Sequence, residues 1–179
     1  MANTTETKNS RMVTGLFRDR DSAENAYQSV ADLGYDKNDV NLVMSDATRA
    51  RHFSKDSGET TELGTKAAEG AGIGGAIGGT LGAIAAAVAA VGTSLVLPGL
   101  GLVIAGPLAA AVAGAGAGGV TGGLVGALIG WGIPEERIQH YEAGIKEGGI
   151  LMGVKAHTDE DARRFEQEWK AKNGEQVYL

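Results

Sequence analysis

The stretch "MVTGLFRDRDSAENAYQSVADLGYDKNDVNLVMS", residues 12–45, changes its hydrophobic period twice. "MVTGLF" alternates, with Val13, Gly15 and Phe17 toward one face and Met12, Thr14 and Leu16 toward the other, which predicts a strand. Ala23, Ala26, Tyr27, Val30 and Leu33 then recur at helical spacing. Asp21 or Ser22 is the expected N-cap and Gly34 the stop. "DVNLVMS" returns to alternation, with Val40, Leu42 and Met44 in phase. The stretch therefore reads as a βαβ unit. Two strands alone bury too little to be stable, so a second unit is required.

That second unit lies near the other end of the sequence. Pro134 is expected in the first turn of a helix through Ile138, Tyr141 and Ile145 that ends at the Gly148 and Gly149 pair. "GILMGVKAH" supplies a strand. Thr158 caps a further helix, whose first turn carries Asp159, Glu160 and Asp161 beside the positive end of the dipole and whose apolar stripe is Ala162, Phe165 and Trp169. Gly174 closes it, and "EQVYL" reads as an edge strand. The order βαβ, then βαβ, predicts an α+β, ferredoxin-like module with two helices on one face of a four-stranded antiparallel sheet.

Between the two halves the chain changes character. Residues 70–134 contain no Asp, Glu, Lys, Arg or His, although the chain as a whole carries 16 basic and 22 acidic residues. The mean hydropathy of −0.06 averages over this contrast. The expected divisions are a polar tail at 1–10, the first half-module at 11–45 and a polar connector at 46–69 with room for one short helix. A helical hairpin at 70–132, a connecting helix at 133–148 and the second half-module at 149–179 complete the chain.

The apolar centre carries two rows of glycine at a period of four: Gly70, Gly74, Gly78 and Gly82, extended by Ala86 and Ala90, and Gly114, Gly118, Gly122, Gly126 and Gly130. Each interior glycine costs a helix about 0.5–1 kcal/mol relative to alanine. A bare stripe offsets that cost if two helices approach closely enough for backbone packing, and these nine glycines are the candidate self-association residues. Leu124 and Leu128 point off the row. As helices, 70–92 and 107–131 would each exceed the roughly 30 Å of a bilayer core, with Pro107 at the start of the second and Trp131 at its end. The connection "TSLVLPGLGLVIAG", residues 93–106, would then rest in or near the far leaflet or be covered by other subunits.

"VTGLFRDRDSAENAYQSVADLGYDKNDVNLVMSD" and "GIPEERIQHYEAGIKEGGILMGVKAH", the latter with its pattern of Pro134, Tyr141, Glu142, Gly148 and Gly149, resemble the opening and closing modules of the bacterial general stress proteins of the heat-induced stress protein type. Relatives in that family often carry a glycine-zipper segment between the two. The resemblance covers roughly residues 11–157. It implies a bacterial, stress-associated, non-catalytic protein, and it carries over no catalytic residue.

Charge narrows the partners. The net charge of −6 and the pI near 5.1 argue against nucleic acid. The absence of cysteine removes disulfides and thiolate metal sites. The polar start "MANTTETKNS" and the short apolar run after it do not form a signal-peptide core. Glu136 and His140, four apart on a helix, are two metal ligands without a third. "GAGIGG" at 70–75 has dinucleotide-like glycines but follows no strand. His157 reads as a strand end leading into a cap. No cofactor, metal or catalytic set is called for, and a small-molecule ligand is left unassigned.

Two readings follow. In the first, the zipper hairpin associates with membrane lipid and self-assembles into a homo-oligomer. Arg49, Arg51, Lys55 and Lys66 before the centre, with Arg137 and Lys146 after it, then place both flanks on the cytoplasmic side of the bacterial inner membrane. In the second, the protein is a soluble cytoplasmic oligomer with a ligand-binding or regulatory module, whose glycine-rich helices form the oligomer core.

Overall fold

The computed structural model describes residues 11–36, 38–53, 95–97, 101–109, 125, 128–129 and 133–179. β1 (Arg11–Phe17), α1 (Arg20–Asp32) and β2 (Val40–Ser45) form the first βαβ unit, and α2 (Asp46–Phe53) follows directly. β3 (Leu95–Leu97) and β4 (Leu102–Ala105) come next. α3 (Glu135–Lys146), β5 (Ile150–Ala156), α4 (Asp159–Ala171) and β6 (Glu175–Tyr178) complete the order.

The strands make one sheet in the order β3-β4-β2-β5-β1-β6, and every neighbouring pair is antiparallel. β5 occupies the centre, with Val13 opposite Val154 on one side and Leu42 opposite Met152 on the other. The four strands expected from the two βαβ units are adjacent, as β2-β5-β1-β6. Neither half is complete alone, because β1 lies between β5 and β6.

The alternation read from β1 holds. Val13 and Phe17 face α1 and α4, whereas Leu16 faces the opposite side. Val40, Leu42 and Met44 join the first face, together with Ala23, Ala26, Val30, Ala162, Phe165 and Trp169. Trp169 is fully buried, its ring stands edge-on to Phe17 at 5.6 Å, and its indole N–H donates to Ala26 O at 3.3 Å. A buried indole needs such a partner.

The second face is covered too, which departs from the expected two-layer module. Ile138, Tyr141 and Ile145 of α3 pack there against Leu16, Val43 and Leu151, with Leu108, Ala109, Leu128 and Ile133. The physical reason is the chain's own composition: β2, β4 and β5 are apolar on both sides, so both faces must be buried.

Three local expectations are corrected. The N-cap of α1 is Asp19, not Asp21 or Ser22: its carboxylate accepts from Ser22 N at 2.7 Å and Ser22 Oγ at 2.9 Å, leaving Asp21 in the first turn beside the helix dipole. Pro134 is the extended N-cap of α3 (ψ 140°), and the helix begins one residue later. The largest correction concerns 93–106, expected to connect two helices at the far end of a hairpin. Leu95–Leu97 and Leu102–Ala105 instead form a β-hairpin that extends the sheet from β2, with Val43 opposite Ile104. The stretch permits it, since Val96, Val103 and Ile104 suit a strand and "PGLG" breaks between the two runs, and the pairing of β4 with β2 selects it. The cap at Thr158 and the short helix after residue 45 are as expected.

Candidate functional site

The chemistry-poor centre of the chain meets the folded module along one seam, and the residues that build it are local in origin. Asn41 interrupts the apolar alternation of β2 and is 4% exposed. Its side-chain Oδ1 accepts from Leu108 N at 2.7 Å. A residue 67 positions away thus satisfies an amide at the start of the turn 107–109, as an N-cap would. Gly106, at φ +98°, makes the approach possible: any Cβ there would overlap Val40 O and lie 2.9 Å from Asn41 Oδ1. At the other end of β4, Asp46 N donates to Gly101 O at 2.7 Å. Both ends of the strand are fixed to β2 or its continuation.

The chain's return to the module is fixed as well. Leu128 is fully buried and Ile133 nearly so, in the same apolar cluster as Leu108 and Ala109; Val125 packs against that cluster. α3 then seals the face by close approach. A Cβ on Gly144 would collide with the Leu16 side chain, and one on Gly149 would lie 2.8 Å from Gly144 O. Tyr141 donates to Gln176 O at 2.8 Å, so at its contact with Thr14 Oγ1, also 2.8 Å, the threonine is the donor. Burial pushes the Tyr141 phenol up to about 12. Of the quoted closing pattern, Tyr141 is core, Glu142 pairs with Lys146 on the surface, and Gly148 ends α3 at φ +99°.

A polar cluster just before β2 holds a different junction. Tyr35 donates to Asp161 Oδ2 at 2.7 Å and accepts from His157 N at 2.8 Å, while its ring stacks on His157 at 4.3 Å. His157 Nε2 lies 3.2 Å from Asp39 Oδ1. Burial raises the Tyr35 phenol to about 12, and its hydrogen bond, with a second from Thr158, holds Asp161 below the usual carboxylate range. The cluster pins loop 34–39 to the start of α4.

Tyr35→Phe is expected to cost about 1–2 kcal/mol at neutral pH, the range of a lost hydrogen bond of this kind. Because the folded Asp161 value is depressed, its contribution exists above the unfolded value near 4 and is lost as pH falls through the folded one. Urea unfolding of both proteins should therefore differ less in acid than at neutrality. A difference that is unchanged or larger in acid would count against this role.

The candidate self-association residues Gly70, Gly74, Gly78, Gly82, Gly114, Gly118, Gly122, Gly126 and Gly130 lie outside the described residues, as does "GAGIGG". Glu136 and His140 are exposed on α3, and among the described residues no three His, Cys, Asp or Glu side chains gather as metal ligands. His157 follows the last residue of β5, next to the Thr158 cap. Leu128, read as lying off the glycine row, is a core residue of the module. The sequence reading missed Asn41 and Gly106. A polar residue inside "VNLVM" and a glycine directly before Pro107 were their only traces. Among the described residues, no helix is long and apolar enough to cross a membrane. No known protein family, curated protein or solved structure matches the chain.

Proposed function

We propose that the protein is a non-catalytic assembly module of the bacterial stress-associated type, in which the sheet is a rigid base and the glycine-rich segments join one copy to another. The observation that carries this reading is the seam itself. The Asn41–Leu108 hydrogen bond, the β2–β4 pairing and buried Leu128 hold the ends of an uncharged, glycine-rich stretch on one folded body. Tethering both ends lowers the entropy lost when such a stretch orders against a partner. Small residues at a period of four suit close packing of like segments.

A second reading is favoured by the lack of any charge from 70 to 134: attachment to a lipid surface. Both readings can be separated by light scattering with and without mild detergent. Gly118→Leu with Gly122→Leu should reduce the oligomer, because leucine blocks close approach even as it improves helix propensity. Ile129→Ala is the control for lost hydrophobicity, since Ile129 is 51% exposed and stands beside the core rather than in it. Unchanged assembly in the glycine double variant would overturn the self-association reading. Dissociation of wild-type and variant alike in detergent would favour the lipid one.

A further inference from the structure

We infer that α3 and β6 open as one unit, a flap over the second face of the sheet that loosens as ionic strength rises. α3 meets that face through a single apolar stripe, Ile138, Tyr141 and Ile145, while Glu135, Gln139, Ala143 and Lys146 on its other side are exposed. Three polar contacts spaced along the helix lead to one strand. Arg137 places its guanidinium 4.2 Å from the ring centre of Tyr178. Tyr141 donates to Gln176 O at 2.8 Å. Glu147, the C-cap, is paired with Arg18, and the same guanidinium holds Glu175, its Nε donating to Oε2 at 2.8 Å. Advancing along α3 from 137 to 147 thus retreats along β6 from 178 to 175.

β6 is a weak edge. It is opposite β1 at Thr14 with Tyr178 and at Leu16 with Glu175, and the register breaks between them. Gln176 is left-handed there at φ +49°, a backbone that a side chain with a Cβ disfavours, and in this bulge its carbonyl reaches the buried phenol. Without α3, β6 keeps the broken ladder, the Arg18 pair and Val177 on the first face. Without β6, α3 loses all three contacts.

The Gly148 and Gly149 pair is the hinge. Gly148 has φ +99°, and Thr48 Oγ1 donates to its carbonyl at 3.2 Å, so α3 stays tied to the module where it joins β5. Opening about this point uncovers Leu16, Val43, Leu108, Leu128 and Leu151 while β5 remains paired with β1 and β2. Such sub-global opening draws on the least protected elements of a fold. Salt favours it, because Arg18, Glu147 and Glu175 are 44%, 62% and 49% exposed and dissolved ions screen both pairs. The opening is independent of how the glycine rows act.

Amide hydrogen exchange of the full-length protein, read by mass spectrometry, tests the unit with one substitution in each element. In the wild type, Ile138–Ile145 and Glu175–Tyr178 should share a protection factor lower than that of β5. Glu175→Gln, in β6, and Tyr141→Phe, in α3, should each lower protection in both elements together, by a factor of about two to five for Glu175→Gln. Raising sodium chloride from about 0.01 M to about 1 M, which shortens the screening length from about 30 Å to about 3 Å, should do the same in the wild type and have less effect in Arg18→Met. Protection of α3 equal to that of β5, faster exchange confined to the altered element, no change in either element, or a salt response kept in full by Arg18→Met would each overturn the proposal.

Discussion

Truncation of Trp169 to alanine is expected to lower the unfolding free energy by about 3–5 kcal/mol, the range for deleting a large buried aromatic. Trp169 is fully buried among Phe17, Phe165 and the backbone of α1, and its ring also closes the space over Gly15, where a Cβ would lie 2.9 Å from it. The deletion removes apolar contact, the edge-on pair with Phe17 and the hydrogen bond to Ala26 O together. A small domain has only about 5–15 kcal/mol in reserve, so the variant should lose a large fraction of its stability. Urea unfolding followed by far-ultraviolet circular dichroism reads this directly. A loss below about 1 kcal/mol, far under the range for a buried aromatic, would mean that α4 does not close the first face.

Gly106→Ala should be nearly as damaging, at about 2–5 kcal/mol from backbone strain combined with overlap. The position combines φ +98° with contact against the backbone oxygen of Val40, a sheet residue, and the side chain of Asn41, which is held by its hydrogen bond to Leu108 N. Gly101→Ala is the matched comparison. Gly101 also has positive φ, but no atom lies within 4 Å of its added Cβ, so only the strain of about 1 kcal/mol applies. Hydrogen exchange should show faster opening at Leu102–Leu108 in Gly106→Ala than in Gly101→Ala. Equal effects would show that the close approach at Asn41 is dispensable.

The two βαβ units were legible because their periods are clean. Val13 and Phe17, Val40 to Met44, and Ala162 to Trp169 announce their faces through spacing alone, and these faces are where the structure buries them. What spacing does not carry is pairing between distant segments. "TSLVLPGLGLVIAG" is apolar in either setting, and nothing within it distinguishes a helical turn in lipid from a hairpin against β2. The deciding contacts come from Val43, Asn41 and Asp46, far away in sequence. For the same reason Leu128 read as surplus to a glycine row, whereas it is held by the second face of the sheet. At α1, Asp19, Asp21 and Ser22 all suit a cap, and only the extended backbone at Asp19 decides among them.

The place of β5 at the centre of the sheet has a consequence for synthesis. β1 leaves the ribosome early, but the strand that pairs with it, from Phe17 opposite Ile150 to Arg11 opposite Ala156, is translated late. At about 5–20 residues per second, β1 waits roughly 7–30 s for its partner. During that interval the whole uncharged centre emerges before α3, which will cover Leu108 and Leu128, has been made. The nascent chain therefore passes through its most apolar and least protected state on every round of translation, and demand for a holding chaperone is built into the order of its strands.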